Sequence, residues 1–361
     1  MRRALLSLVV VVAAVVAVAA FDVPSNAATV NGVGISRATL NSDLGVISAT
    51  PTYQCYLAAS LALRSQNLVS LPAVGGSGLG QTVTTRFADY WLSTLVNDEL
   101  IEQLAAARHL RVNAADLVAG RADLVNSISG TLTAVAQAAG QPAVCAPDGN
   151  AVLRAVPADF ADRLARAQAV GDVILANAAG YGLGAAQLSS FYATHRSDFD
   201  VICLSAIATA SLASANALRA EIEGGASFPL VAEANSTDAA SAAQGGAIGC
   251  FAPTDPAYAS VTHDVAGLAV GTVSAPQSSS GSYVLLEVTA RRPTSLRAAG
   301  DSVRQAVLAA GATAAGKELQ RSTKRATVTI DPRYGNWVGG TTIAVRPPAS
   351  PPASSLLTAR G

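Results

Sequence analysis

Charge is scarce in this chain: 13% of its residues are Asp, Glu, Lys or Arg, and 24 cations balance 24 anions. Contact with nucleic acid calls for clustered Lys and Arg, so no nucleic-acid partner is expected. Histidine is as sparse. His109, His195 and His263 are scattered, and neither a CxxC nor an HxxxH spacing occurs. The four cysteines, Cys55, Cys145, Cys203 and Cys250, therefore do not read as a metal site, and no cofactor is expected. What is plentiful is alanine, which favours helix. A length of 361 residues suits one extended or two compact domains with room for a core.

The N-terminus reads Met1-Arg2-Arg3, then Ala4 to Phe21 without a charge, then Ser25-Asn26-Ala27. Positive charge, an apolar stretch and small residues at a cleavage position describe a secretory signal over residues 1–27. The apolar stretch is also near the ~18 residues that can span a bilayer, so an uncleaved anchor is the alternative and the one membrane attachment expected. No cysteine follows the stretch, which argues against a lipid anchor. In an oxidising compartment an even cysteine set points to disulfides, and four cysteines allow three pairings.

Ala28 to Ser36 places Asn31-Gly32 between short apolar runs, which predicts a hairpin, and Ser36 reads as the N-cap of a helix from Arg37 to Val46. From Thr84 to His109, Phe87, Trp91 and Leu95 recur at helical spacing, with Leu92, Val96, Leu100 and Leu104 on an adjacent line. That face suits either a bundle packing on itself or a surface for bound polypeptide. Asn113 is a plausible cap for the next helix. Further helices are expected over Ala158–Gly180, Ala185–His195, Ala213–Glu223 and Leu296–Lys324. Strands are expected at Val201–Thr209, Ile248–Phe251, near Val273, and at Ser282–Thr289, where Tyr283, Leu285 and Glu287 alternate with Val284, Leu286 and Val288. Val261 to Leu268 reads as a helical turn. Arg346 onward alternates proline with small polar residues and reads as an unstructured tail.

One segment is more specific than any of these. Phe228, Val231, Ala232, Ser236, Asp238, Ser241, Gly245, Gly246, Ile248 and Gly249 stand in the order F-x-x-(L/V)-A-x-x-x-S-x-D-x-x-S-A-x-x-G-G-x-(L/I)-G. That order resembles the core of a parvulin, the PpiC or rotamase type of peptidyl-prolyl cis-trans isomerase. The flanks are similar to SurA-like and PrsA-like exported foldases. The carriers are the Val30-Asn31-Gly32 opening, the stretch His109 to Leu117, the helix Leu188 to Phe199, and Val328 to Trp337, which resembles an actinobacterial SurA-like ending. The resemblance implies an α+β fold, with a four-stranded antiparallel parvulin-like sheet inserted in a mainly helical chaperone module. The expected divisions are a leader at 1–27, a helical domain at 28–198, the parvulin-like domain at 199–292, a returning helix and strand at 293–345, and a tail at 346–361. The strand near Val328 is expected to pair with that near Val30. Of the three cysteine pairings, Cys55 with Cys145 and Cys203 with Cys250 is favoured, because each then closes within one module.

A parvulin holds a proline ring in an apolar cup while the peptide twists, and the resemblance implies two histidines on the cup floor. Their positions here fall at Ala206, in the first strand, and Val284, in the last. Asp238 stands where the family carries Asp or Cys; it could polarise the substrate amide or cap the following turn. His195 reads as a helix-end residue rather than a catalyst, and His263 matches no catalytic position. The cup is expected to be lined by Tyr258, Val261, Leu268 and Phe228. The function implied is an exported isomerase and chaperone, acting on unfolded or proline-containing exported polypeptides, with weak or absent catalysis. The alternative is a non-catalytic holdase or scaffold of the cell envelope.

Overall fold

The computed structural model describes residues 26–65, 74–75, 83–252, 265, 267–279, 281–339 and 344–348. Most of the expected leader, the turn carrying Tyr258, Val261 and His263, and the tail beyond residue 348 lie outside the described residues. The chain divides into two compact units, one formed by Met1–Leu175 with Ala312–Gly361 and the other by Ala176–Gly311.

The first unit starts from β1 (Asn26–Val30) and β2 (Val33–Ser36). Asn31 and Gly32 both take positive φ, 51° and 88°. That is the geometry of a two-residue turn whose twist matches the strands, and it is why Asn-Gly sits there. The other edge of β1 takes β7 (Val328–Ile330), with Ala28 opposite Ile330 and Val30 opposite Val328. The early and late parts of the chain thus close one three-stranded sheet. Ala27 is fully buried in β1, and its carbonyl accepts from the Asp331 N–H. The leader's expected end at residue 27 therefore runs two residues into a strand.

Ser36 caps α1 (Arg37–Ala49), accepting from the Thr39 N–H. It is followed by α2 (Pro51–Ser65), α3 (Thr85–Ala107), α4 (Ala114–Ala138), α5 (Gly149–Arg154) and α6 (Ala158–Ala178). Asn113 and Asp116 form a reciprocal capping box at the start of α4, satisfying donors the first turn would leave unpaired. The apolar faces meet in one core, with Leu40 and Ile47 from α1, Phe87, Trp91, Leu92, Val96 and Leu100 from α3, and Phe160 from α6. Cys55 of α2 is bonded to Cys145, which follows α4.

In the second unit, α7 (Ala185–Thr194) ends at His195. The His195 ring stacks on Phe191 at 4.1 Å between centroids, and its Nδ1 lies 2.9 Å from the Phe191 carbonyl. Then come β3 (Val201–Thr209), α8 (Leu212–Glu223), α9 (Phe228–Asn235), α10 (Ala239–Ala242), β4 (Ala247–Phe251), β5 (Gln277–Ser279) and β6 (Ser282–Arg292). The sheet is antiparallel, in the order β4-β3-β6-β5. Helices cover one face, where Ile207 and Leu285 pack with Ala215, Phe228, Val231 and Ala232. Val273 makes an isolated bridge to Glu287, so the fourth strand proper is β5.

Two expectations fail near the C-terminus. The single helix expected from Leu296 to Lys324 is split at Gly300, φ 48°, into α11 (Leu296–Ala299) and α12 (Asp301–Arg325). Arg346 is not the start of an unstructured tail. It closes a hairpin of β8 (Asn336–Val338) with β9 (Ala344–Arg346), anchored by the Val345 N–H donating to the buried Ser93 hydroxyl at 2.8 Å. None of the described helices is long and apolar enough to cross a membrane.

Candidate functional site

β3 and β6 are the central strands of the sheet, so both edges of each are paired and side chains alternate between its faces. The register sets Leu204 opposite Val288, Ala206 opposite Leu286, and Ala208 opposite Val284. These six residues share the face turned away from the helices. Ala206 and Val284, the two positions singled out from the sequence, lie diagonally across neighbouring strands. One end of this face is closed by Ile202, Leu204, Val265 and Val288, with Ile248, Phe251 and Leu268 packed against them. Toward the other end Ala206, Ala208, Val284 and Leu286 are partly exposed. The result is an accessible apolar floor on which none of the six side chains carries a polar atom.

The edge of β3 beside the floor is finished by the glycine-rich segment. Ala206 donates its N–H to the Gly246 carbonyl at 2.7 Å. Ala208 donates to the Ser236 hydroxyl at 3.1 Å, and its carbonyl accepts from the Thr237 N–H at 2.8 Å. Gly246 has φ 83°, and a Cβ there would stand 2.7 Å from the Ala206 carbonyl oxygen and 3.2 Å from Phe228 Cε1. Positive φ and contact with backbone together require glycine. At Gly245, φ 64°, a Cβ would meet Pro229 at 2.8 Å.

Asp238 follows directly. Its carboxylate accepts from the Ser241 hydroxyl at 2.7 Å and from the Ala240 N–H at 3.2 Å. Those bonds, the Ser241 one foremost, hold its pKa below the usual carboxylate range. The side chain is exposed and is engaged as the N-cap of α10.

The other side of β6 is bound by residues 271–274. Gly271 donates to the Val288 carbonyl and Ser274 to that of Leu286, each at 2.8 Å, while Leu286 donates back to the Ser274 hydroxyl at 3.0 Å. Arg291, near the end of β6, reaches the carbonyls of Val265 and Leu268 through Nη2 at 2.8 and 2.9 Å. Its guanidinium thereby pins Leu268 at the closed end of the floor.

Phe228 is a different matter. It is 2% exposed among Ile207, Val231 and Leu285, on the helix-covered face. As the first residue of α9 it is drawn under that helix into the core, so it belongs to the domain's packing and not to the cup. Cys203 and Cys250 are directly opposed on β3 and β4 and bonded to each other. Cys203 alternates with Ile202 and Leu204, so the bond lies on the face opposite the floor. It ties the edge strand down without entering the site. Among the described residues, no group of three or more His, Cys, Asp or Glu is placed to hold a metal ion. Ala208, Leu286 and Arg291 were not singled out from the sequence. Alternation within the last strand signals Leu286, whereas the other two need the pairing register.

An antiparallel four-stranded sheet, helix-covered on one face and open over an apolar floor on the other, defines a parvulin-like domain. Residues 205–290 match the family model described as Rotamase, the PPIC-type PPIASE domain. The chain thus carries a domain of the parvulin-type peptidyl-prolyl isomerase family. Among solved structures, the peptidylprolyl isomerase PrsA of Bacillus cereus is similar at 13% identity, over 73% of this chain and 95% of that one, with a TM-score of 0.37. The parvulin domain of Escherichia coli PpiD matches at 22% identity, over 26% and 91%, with a TM-score of 0.24. A SurA-like chaperone of Campylobacter jejuni matches at 17% identity, over 82% and 93%, with a TM-score of 0.23. No curated protein matches the chain.

Proposed function

We propose that this protein works outside the cytoplasm as a parvulin-like chaperone, taking up unfolded, proline-containing polypeptides and isomerising their prolyl bonds weakly or not at all. The carrying observation is the alkyl floor: Ala206 and Val284, where the resemblance leads one to expect histidines, face the same way on paired strands beside Ala208 and Leu286. Rotation of the peptide bond meets a barrier of ~18–20 kcal/mol, and each ~1.4 kcal/mol removed is worth tenfold in rate. Alkyl groups hold a proline ring by burial, which stabilises the planar and the twisted peptide alike. Only interactions that strengthen as the bond twists accelerate it, and this floor has no side-chain donor to make them. Asp238, exposed and committed to its cap, adds none.

Residues 199–292 serve in this reading as the proline-binding domain, and the helical segments on either side as a second holding surface. Two disulfides support an oxidising compartment, as does the charged and apolar N-terminal sequence. A pure holdase of the cell envelope is the second reading, and the alkyl floor is what favours it.

A proline-limited refolding reaction with equimolar protein tests the catalytic half. Its slow phase is expected to change less than about twofold, and Ala206→His with Val284→His is expected to raise it measurably. Acceleration by the unaltered protein of about tenfold or more would refute the reading.

A further inference from the structure

The helical unit holds a cleft of about 360 Å3, within the roughly 300–1,000 Å3 typical of ligand sites. Its walls come from β2, α1, α3 and α6, all within Met1–Leu175. Trp91, Leu95, Phe160 and Leu164 give it an apolar side. Six charged residues complete the lining: Asp43, Asp98, Glu99, Glu102, Arg163 and Arg166.

Both arginines are engaged. Arg163 pairs with Asp43, whose other oxygen accepts the Trp91 indole N–H at 3.2 Å, and Arg163 also reaches Asp159 at 3.5 Å. Arg166 grips Glu102 with Nε at 3.0 Å and Nη2 at 3.2 Å. Glu99 accepts from the neutral Gln103 amide at 2.7 Å. Asp98 makes no hydrogen bond or ion pair among the described residues. Four carboxylates against two guanidiniums leave the lining at a formal charge of −2, and the two without a cation, Asp98 and Glu99, are neighbours on α3.

We infer that this cleft binds a lysine or arginine side chain of an unfolded polypeptide, with the alkyl stem on the apolar wall and the cation beside Asp98 and Glu99. Lys and Arg are the side chains that pair a buried stem with a charged head. The cation they bring is what the lining lacks, and a charge-assisted hydrogen bond to a sheltered carboxylate is among the stronger polar contacts available. This rests on the reading of the protein as a polypeptide-binding chaperone, and it adds a side-chain preference that the sheet floor, having no charge, cannot supply.

The binding must depend on pH. Burial, reinforced by the Glu102 and Asp43 carboxylates, pushes the pKa of Asp98 up to about 6. Tyr53 of α2, whose phenol feels the Asp98 charge, stays neutral because burial raises its pKa well above the ordinary value. A bound cation favours the ionised carboxylate and lowers that pKa, so binding releases a proton near pH 6. Affinity is therefore full above that pH and is lost as pH falls through it.

The test uses the full chain and two fluorescent peptides without proline, identical and apolar except for a central lysine or norleucine. At pH 7.5 the lysine peptide is expected to bind about tenfold more tightly, with that advantage removed by Asp98→Asn and, in the unaltered protein, by lowering the pH to 5. The norleucine peptide is expected not to weaken as the pH falls. Equal affinity for the two peptides, or a lysine preference that survives both changes, overturns the inference. Because the pH series needs no substitution, a variant that misfolds does not block the test. The refolding assay and a proline peptide report separately on the sheet floor, so failure there is distinguishable from failure here.

Discussion

Removing the Cys55–Cys145 bond by substituting alanine at both positions is expected to lower the stability of the helical unit by about 4–5 kcal/mol. The bond joins residues 90 apart in sequence, and the loop it closes contains α3 and α4, which carry much of the unit's core. A cross-link over so long a loop removes many unfolded conformations, which is why the expected effect sits at the upper end for single disulfides. Cys203–Cys250 spans 47 residues, so its removal is expected to cost slightly less, about 4 kcal/mol, and to act on the sheet unit. Thermal melts of the two double variants would resolve this, since about 4 kcal/mol corresponds to a midpoint shift of roughly 10 °C. Unchanged midpoints would mean that neither bond constrains the unfolded chain.

Gly246→Ala is expected to destabilise the sheet unit by about 3 kcal/mol, combining roughly 1–2 for a left-handed backbone with a Cβ and 1–3 for overpacking. The new methyl would press on the Ala206 carbonyl oxygen at 2.7 Å, so the strain falls on the strand that carries the floor. Because that oxygen is backbone, no side-chain rotation relieves the contact. Denaturant unfolding measures the loss; a variant as stable as the parent would show that the segment can shift without disturbing β3.

How much of this was legible in the sequence follows from the range over which each signal acts. Asn31-Gly32, Ser36 and Asn113 act on their own backbone, and each stands in the turn or cap its chemistry suggests. Ala206 and Val284 could be placed on one face only by the resemblance of the first and last strands to those of parvulins, since nothing local fixes which strands pair. Phe228 was misread for that reason: an aromatic beside a glycine-rich loop suits cup and core equally, and the parity of Ile207 and Leu285 in the sheet decides for the core. Gly300 interrupts a run whose helical residues continue on both sides, and one glycine in such a run carries no sign of whether the helix bends or breaks. Ala27 and Val345 are held by partners remote in sequence, Asp331 and Ser93, whereas Arg346 pairs with Asn336 across a local hairpin that the proline-rich residues after it obscure. The charged cleft is assembled from four separate elements, and no local motif marks it.

The central claim is that the β3–β6 floor binds proline without driving its rotation. Exchange spectroscopy on a short proline peptide, recorded with and without the protein, tests both parts at once. The peptide's resonances are expected to broaden on addition of protein, with no cross-peaks linking cis and trans forms beyond those of free peptide. Strong cis–trans cross-peaks, or a peptide whose resonances are untouched, would contradict it.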